Sequence, residues 1–230
     1  MNPAALLPLI LAVAYPLLAH WASEDGGGIP AAIALADLVV LVLAVPMLER
    51  RGWAWALALL LGAGVVWLAG TPFAQLLLLA PPMLFVGLVA WLFGRSLIAP
   101  REALITQIVA AMERTVPASL PPELYRYSRR LTAAWAAVLA TLALANGVLA
   151  TIAVPGGVLA RLGHVPAVSI TQSQWSLFAN LANYGIVGGF FLGEYALRRR
   201  LFPHRPYRNL FDFLRQMAAL GPKFWRDLFA

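Results

Sequence analysis

Apolar residues fall along the chain in long uninterrupted runs, separated by short polar breaks. The runs cover residues 3–21, 31–48, 53–69, 73–94, 131–154 and 176–197. At 1.5 Å rise per residue, about 20 apolar residues span a hydrocarbon core of about 30 Å. The pattern predicts an all-α polytopic membrane protein with six transmembrane helices. The breaks carry turn chemistry: residues 23–30 with Glu24 and Asp25, Glu49-Arg50-Arg51-Gly52, Gly70-Thr71-Pro72, Pro155-Gly156-Gly157, and Arg198-Arg199-Arg200. Such Gly/Pro clusters end helices. Pro16 and the Pro81-Pro82 pair predict kinks inside the first and fourth runs. No Lys or Arg precedes the first run and no small-x-small site follows it, so it reads as a retained helix rather than a cleaved signal.

Residues 95–130 form the long polar interruption. Within them, residues 101–116 repeat with helical period. Leu104, Ile105, Ile108, Val109, Met112 and Val116 make an apolar stripe, and Arg101, Glu102, Thr106, Gln107, Glu113 and Arg114 fall mostly opposite. This predicts an amphipathic helix on the bilayer surface or against the bundle, followed by an extended connector at 119–122. In the tail, Asn209 suits a helix cap, and Leu210, Phe213, Leu214, Met217 and Leu220 share a face. Gly221-Pro222 ends that helix, and Phe224, Trp225, Leu228 and Phe229 form an aromatic turn suited to an interface. The chain therefore divides into a four-helix half (1–94), a basic loop with an amphipathic helix (95–130), helices five and six (131–197) and a basic amphipathic tail (198–230).

Charge turns this pattern into a topology. Only 12% of residues are charged and 61% are hydrophobic, with mean hydropathy +0.77, whereas soluble domains carry about 25% charged residues. With six helices, 16 of the 17 Lys and Arg fall on one side and Arg161 alone on the other. The positive-inside rule then places both termini in the cytoplasm of a multi-pass protein of the bacterial inner membrane. The net charge of +7 does not point to nucleic acid, because the basic residues sit at the ends of apolar runs. There is no cysteine, and His20, His164 and His204 are far apart. That pattern predicts no metal site and no cofactor.

Four features could carry chemistry. The first is Tyr125-Arg126-Tyr127-Ser128-Arg129-Arg130, continuing to Thr132 and Trp135. If helical, Tyr125, Ser128 or Arg129, Thr132 and Trp135 share a face. Guanidinium groups beside tyrosines suit a phosphate or carboxylate head group, and they equally suit a topogenic anchor. The second is the sixth run, where Gly185, Gly189 and Gly193 make a small-xxx-small packing face. There Asn180, Asn183 and Glu194 form a polar line, with Arg198 placed to pair with Glu194. The third is Asp37, an intramembrane carboxylate that is either functional or near enough to the helix start to reach water. The fourth is Asn146, suited to helix–helix hydrogen bonding. No nucleophile–base pair, phosphate loop or carboxylate pair stands in a suitable context, so nothing in the sequence marks an enzyme.

The segment SLPPELYRYSRRLTAAW (119–135), then Asn146, WSLFANLANY (175–184) and FFLGEYALRRRLFP (190–203) resembles a family of small bacterial inner-membrane proteins. They are encoded within aryl-polyene (xanthomonadin-type) pigment biosynthesis clusters. The resemblance covers residues 95–205, and the first four runs match in hydropathy alone. The architecture is also similar to intracellular septation protein A, whose last helix lacks a tail like residues 201–230. The first resemblance implies an accessory protein for polyene-lipid assembly, with membrane lipids, acyl carrier protein or cytosolic biosynthetic enzymes as partners. A basic cytoplasmic face can steer acidic carriers. Two other functions fit less of the sequence: a lipid transporter or flippase-like protein using Asp37 and the Asn–Glu line, and a membrane transferase built on the Arg–Tyr cluster.

Overall fold

The computed structural model describes residues 3–24, 28–69, 71, 73–202 and 207–229. The turn residues at 25–27, Gly70, Pro72 and residues 203–206 with His204 lie outside it, as does the side chain of Asn180. The described chain is almost entirely helical: α1 (Pro3–Glu24), α2 (Ile29–Leu48), α3 (Gly52–Ala69), α4 (Phe73–Arg95), α5 (Leu104–Met112), α6 (Pro122–Ile152), α7 (Val158–Arg161), α8 (Gln172–Leu177), α9 (Asn183–Leu201), α10 (Leu210–Ala219) and α11 (Gly221–Phe229). The first four helices begin and end within a few residues of the apolar runs, and α4 is assigned as one helix through Pro81 and Pro82.

Among the described residues, three helices are long and apolar enough to cross a membrane: α2, α3 and α6. Ile10–Ala22 in α1 and Leu79–Arg95 in α4 are apolar as well. α9 is 19 residues long but carries Glu194 and three arginines in its last turn. On α3, Val66 and Trp67 are each 75% exposed. Large apolar side chains facing outward along a whole helix suit lipid and would be unfavourable in water.

The chain forms two units. The first comprises residues 1–84 and 145–184. In it α1, α2 and α3 pack sequentially, through Ala22, Ala31, Ala34 and Leu35, with Leu18, Val65 and Leu68 against them. Alanines at 31 and 34 fall on one helical face and let backbones approach closely. A second cluster gathers Leu79, Ala150, Ala153, Trp175 and Ala179. The break at Pro155-Gly156-Gly157 holds a feature the sequence does not announce. Two short parallel strands, β1 (Ala153–Val154) and β2 (Ile170–Thr171), pair Ala153 with Ile170 and Val154 with Thr171. Thr171 then caps α8 in a reciprocal box: its Oγ1 accepts from Gln174 N at 3.1 Å, and its own N–H donates to Gln174 Oε1 at 2.9 Å. A π-helical turn (Phe178–Ala182) joins α8 to α9.

The second unit comprises residues 85–144 and 185–230. Its centre is α6, which starts at Pro122, nine residues before the predicted fifth run. Thirty-one residues make a helix of about 46 Å, longer than a hydrocarbon core of about 30 Å. The Arg–Tyr stretch is the first turns of that helix. The connector before it is a 3₁₀ turn, Pro117–Ser119, followed by extended Leu120.

α5 is shorter than the predicted 101–116. It begins after Ala103, and Arg114 in the left-handed region (φ 54°) follows its end. It packs against α6. Burial of Leu104, Thr106, Ile108 and Ala110 runs round the helix instead of along a single stripe. Thr106, placed on the polar side by periodicity, is wholly buried because its hydroxyl meets that of Ser128 at 2.9 Å. Ala103 provides no side-chain cap, so hydroxyls from elsewhere satisfy the first N–H groups of α5. Leu104 N donates to Ser96 Oγ at 2.9 Å, and Ile105 N donates to Thr132 Oγ1 at 3.2 Å. In the tail Asn209 caps α10, its Oδ1 accepting from Asp212 N at 2.8 Å. The aromatic turn is a second helix, α11, which begins at Gly221 with φ 80°.

Candidate functional site

The first turns of α6 arrange the Arg–Tyr cluster as the helical reading predicts, and that face turns inward. Tyr125 OH donates to Glu102 Oε2 at 3.0 Å. Ser128 and Thr132 are fully buried against α5. Trp135 meets the ring of Phe190 edge-on at 4.7 Å and lies 6.2 Å from Phe93. Arg129, although exposed, sends Nη2 to the Leu97 carbonyl at 2.9 Å. Tyr125, Ser128, Arg129 and Thr132 clamp residues 97–106 onto α6, and Trp135 packs beside them on Phe93 and Phe190. Arg126 and Arg130 are left on the outward side, both exposed; Arg126 Nε donates back to the Pro122 carbonyl at 3.2 Å. The cluster thus separates into an inner clamp of Tyr125, Arg129 and Trp135 and an outer basic pair.

Tyr127 points another way and finds Glu194. Its hydroxyl donates to Glu194 Oε1 at 3.1 Å. Arg198, one turn along α9, grips the same carboxylate: Nη2 donates to Oε2 at 3.2 Å and Nε lies 3.0 Å from Oε1. Both side chains are nearly enclosed, 10% and 6% exposed for Arg198 and Glu194. The guanidinium also stacks 4.7 Å above Phe213 and 5.6 Å from Tyr207. A planar, permanently charged group suits a carboxylate on one edge and aromatic faces beside it. The network fastens α6, α9 and α10 together.

The remaining polar candidates belong to the first unit. Asn146 is buried in α6. Asn183 Nδ2 donates to the Ala179 carbonyl of its own chain turn at 3.1 Å. Asp37 is half-buried, and its Oδ2 has no hydrogen-bond partner among the described residues; neither has the buried hydroxyl of Tyr15. His20 Nδ1 and Ser176 Oγ, 2.7 Å apart, tie α1 to α8. A Cβ built at Gly185, Gly189 or Gly193 meets nothing within 4 Å among the described residues, so no described residue of the second unit packs closely on that face. A small-residue repeat permits close approach without requiring it.

Sequence reasoning placed Tyr127 only as a member of the cluster and Thr106 only on a polar face, and it missed Tyr15 and Ser96. Local spacing could have found the Glu194–Arg198 pair, and it did. Nothing local marks a lone tyrosine in an apolar run, or a hydroxyl that will cap a helix from another part of the chain. Comparison with protein-family models, with characterised proteins and with solved structures finds no match.

Proposed function

We propose that this chain is a six-span inner-membrane accessory protein with both termini cytoplasmic. In this reading it supports polyene-lipid assembly by holding acidic acyl carriers, or the enzymes that use them, at the membrane. The observation that carries it is the outer pair Arg126 and Arg130, exposed at the start of an over-long α6 while neighbouring Arg129 is tied inward. An exposed basic pair beyond the hydrocarbon attracts acidic partners by charge and is not committed to holding the fold.

The topology is checked with reporter fusions. A fusion after Ala230 is expected to be active only in a cytoplasmic assay, and an insertion near Gly156 only in a periplasmic one. The reverse pattern ends the six-span reading.

The function is checked as polyene-lipid yield in a deletion strain complemented at matched membrane abundance. Because the pair acts through charge, Arg126→Lys with Arg130→Lys is expected to restore full yield. Arg126→Glu with Arg130→Glu places like charge before an acidic carrier and is expected to lower yield about tenfold, the equivalent of about 1.4 kcal/mol. Full yield from the glutamate pair, with topology intact, would rule out docking at this face.

A further inference from the structure

A cavity of about 310 Å³ opens where the end of α4, the segment leading into α5, and α11 come together within the second unit. That is the lower end of the range for small-ligand sites, about 300–1,000 Å³. The residues that line it include two arginines, Arg95 and Arg101, and two acidic residues, Glu102 and Asp227, with Gln107 and Leu228 beside them. Two positive and two negative groups give a wall of no net charge. A simple anion would meet the carboxylates, and a simple cation the arginines. An occupant that bears both signs meets groups of opposite sign on this wall.

The wall is set up for such a guest. Arg101 and Asp227 join no ion pair among the described residues. Glu102 is fixed at the wall by Tyr125, whose hydroxyl donates to its Oε2 at 3.0 Å. Gln107 Nε2 donates to the Glu102 carbonyl at 2.7 Å and holds the turn closed. Arg95 lies 4.6 Å above the ring of Trp91 at the end of an apolar helix, where tryptophan and arginine mark the head-group level of a bilayer.

We propose that this cavity binds a phosphate ester bearing a primary ammonium, the phosphoethanolamine group. Arg95 and Arg101 hold the phosphate oxygens, and Glu102 and Asp227 accept the ammonium N–H bonds. A quaternary ammonium has no N–H to donate and fits less well. The group comes either from phosphatidylethanolamine in the membrane or from a soluble phosphoethanolamine, and the two sources are separable.

The test uses the full chain and does not depend on the polyene-lipid role. The protein is reconstituted with equal parts of phosphatidylethanolamine, phosphatidylcholine and phosphatidylglycerol, then extracted and washed, and retained lipid is counted by mass spectrometry. In parallel, O-phosphoethanolamine and phosphocholine are titrated calorimetrically. Enrichment of phosphatidylethanolamine supports the site with a lipid source. Preference for O-phosphoethanolamine without lipid enrichment supports it with a soluble one. Asp227→Asn and Arg101→Gln, both at exposed positions, are expected to fold normally and to lower the ethanolamine preference about fivefold each, the loss of one charge-assisted hydrogen bond at a partly open site. The proposal is overturned if neither arm prefers ethanolamine over choline, or if both variants keep the wild-type preference.

Discussion

Glu194→Ala is expected to destabilise the protein by about 3–5 kcal/mol, the usual consequence of removing one partner from a buried ion pair. The cause is the group left behind. An arginine side chain cannot shed its charge in a protein, so nothing neutralises the guanidinium when its carboxylate is gone. Its rings at Phe213 and Tyr207 compensate in part, by about 0.5–2 kcal/mol for a cation over an aromatic face. Arg198→Met strands a carboxyl instead. That group can take up a proton and still accept from Tyr127, so the loss should be smaller. Glu194→Gln, which keeps the acceptor and the shape, should also be milder than Glu194→Ala. Replacing both partners, Glu194→Leu with Arg198→Met, should recover much of the stability, because no unpaired charge remains. Thermal melting of the detergent-solubilised protein measures the series. A Glu194→Ala melting curve that overlays wild type would mean that the pair is open to water and that the α6–α9–α10 fastening is not there.

The same network shows what the sequence could and could not disclose. Glu194 and Arg198 are one turn apart on a helix, and that spacing alone predicts their pairing. Tyr127 is 67 residues away from Glu194, and no local pattern joins them. The helices followed the same division. Apolar runs located α1 to α4 within a few residues, because a long apolar helix is marked by length and apolarity over a single stretch. The start of α6 was misplaced because arginines and tyrosines end an apolar run without ending a helix. The amphipathic period found α5, but the buried Thr106 and the remote caps Ser96 and Thr132 depend on what the helix touches. For the Arg–Tyr cluster, helical spacing gave the shared face of Tyr125, Thr132 and Trp135 correctly. Which way that face turns is a tertiary fact, and it separates the inner clamp from the outer pair Arg126 and Arg130.

The glycines at the end of α6 are the sharpest case of a feature hidden in the sequence, where Gly156 and Gly157 look alike. Gly157→Ala is expected to destabilise the first unit by about 3 kcal/mol, the upper end of what overpacking costs. Its backbone is extended, φ −73° and ψ 167°, so alanine meets no conformational penalty, and the obstacle is space. A Cβ there would press on the carbonyl oxygen of Ala153 and stand 2.8 Å from both Ala150 O and Ala153 N. All three are backbone atoms, and none can rotate away. Gly157 N also donates to that same Ala153 oxygen at 2.9 Å, and Gly157 O accepts from Arg161 N at 3.0 Å. Making room would therefore pull Ala153 away from Ile170, its partner across the β1–β2 pair, and out of the cluster around Trp175. At Gly156 the added Cβ meets only the side-chain end of Gln172, which can swing aside. Gly156→Ala should cost less than about 1 kcal/mol, as volume changes absorbed by a flexible neighbour do. Melting temperature and the near-ultraviolet signal of Trp175 read the contrast. If the two variants melt together, the close approach of Gly157 to the end of α6 is not part of the native fold.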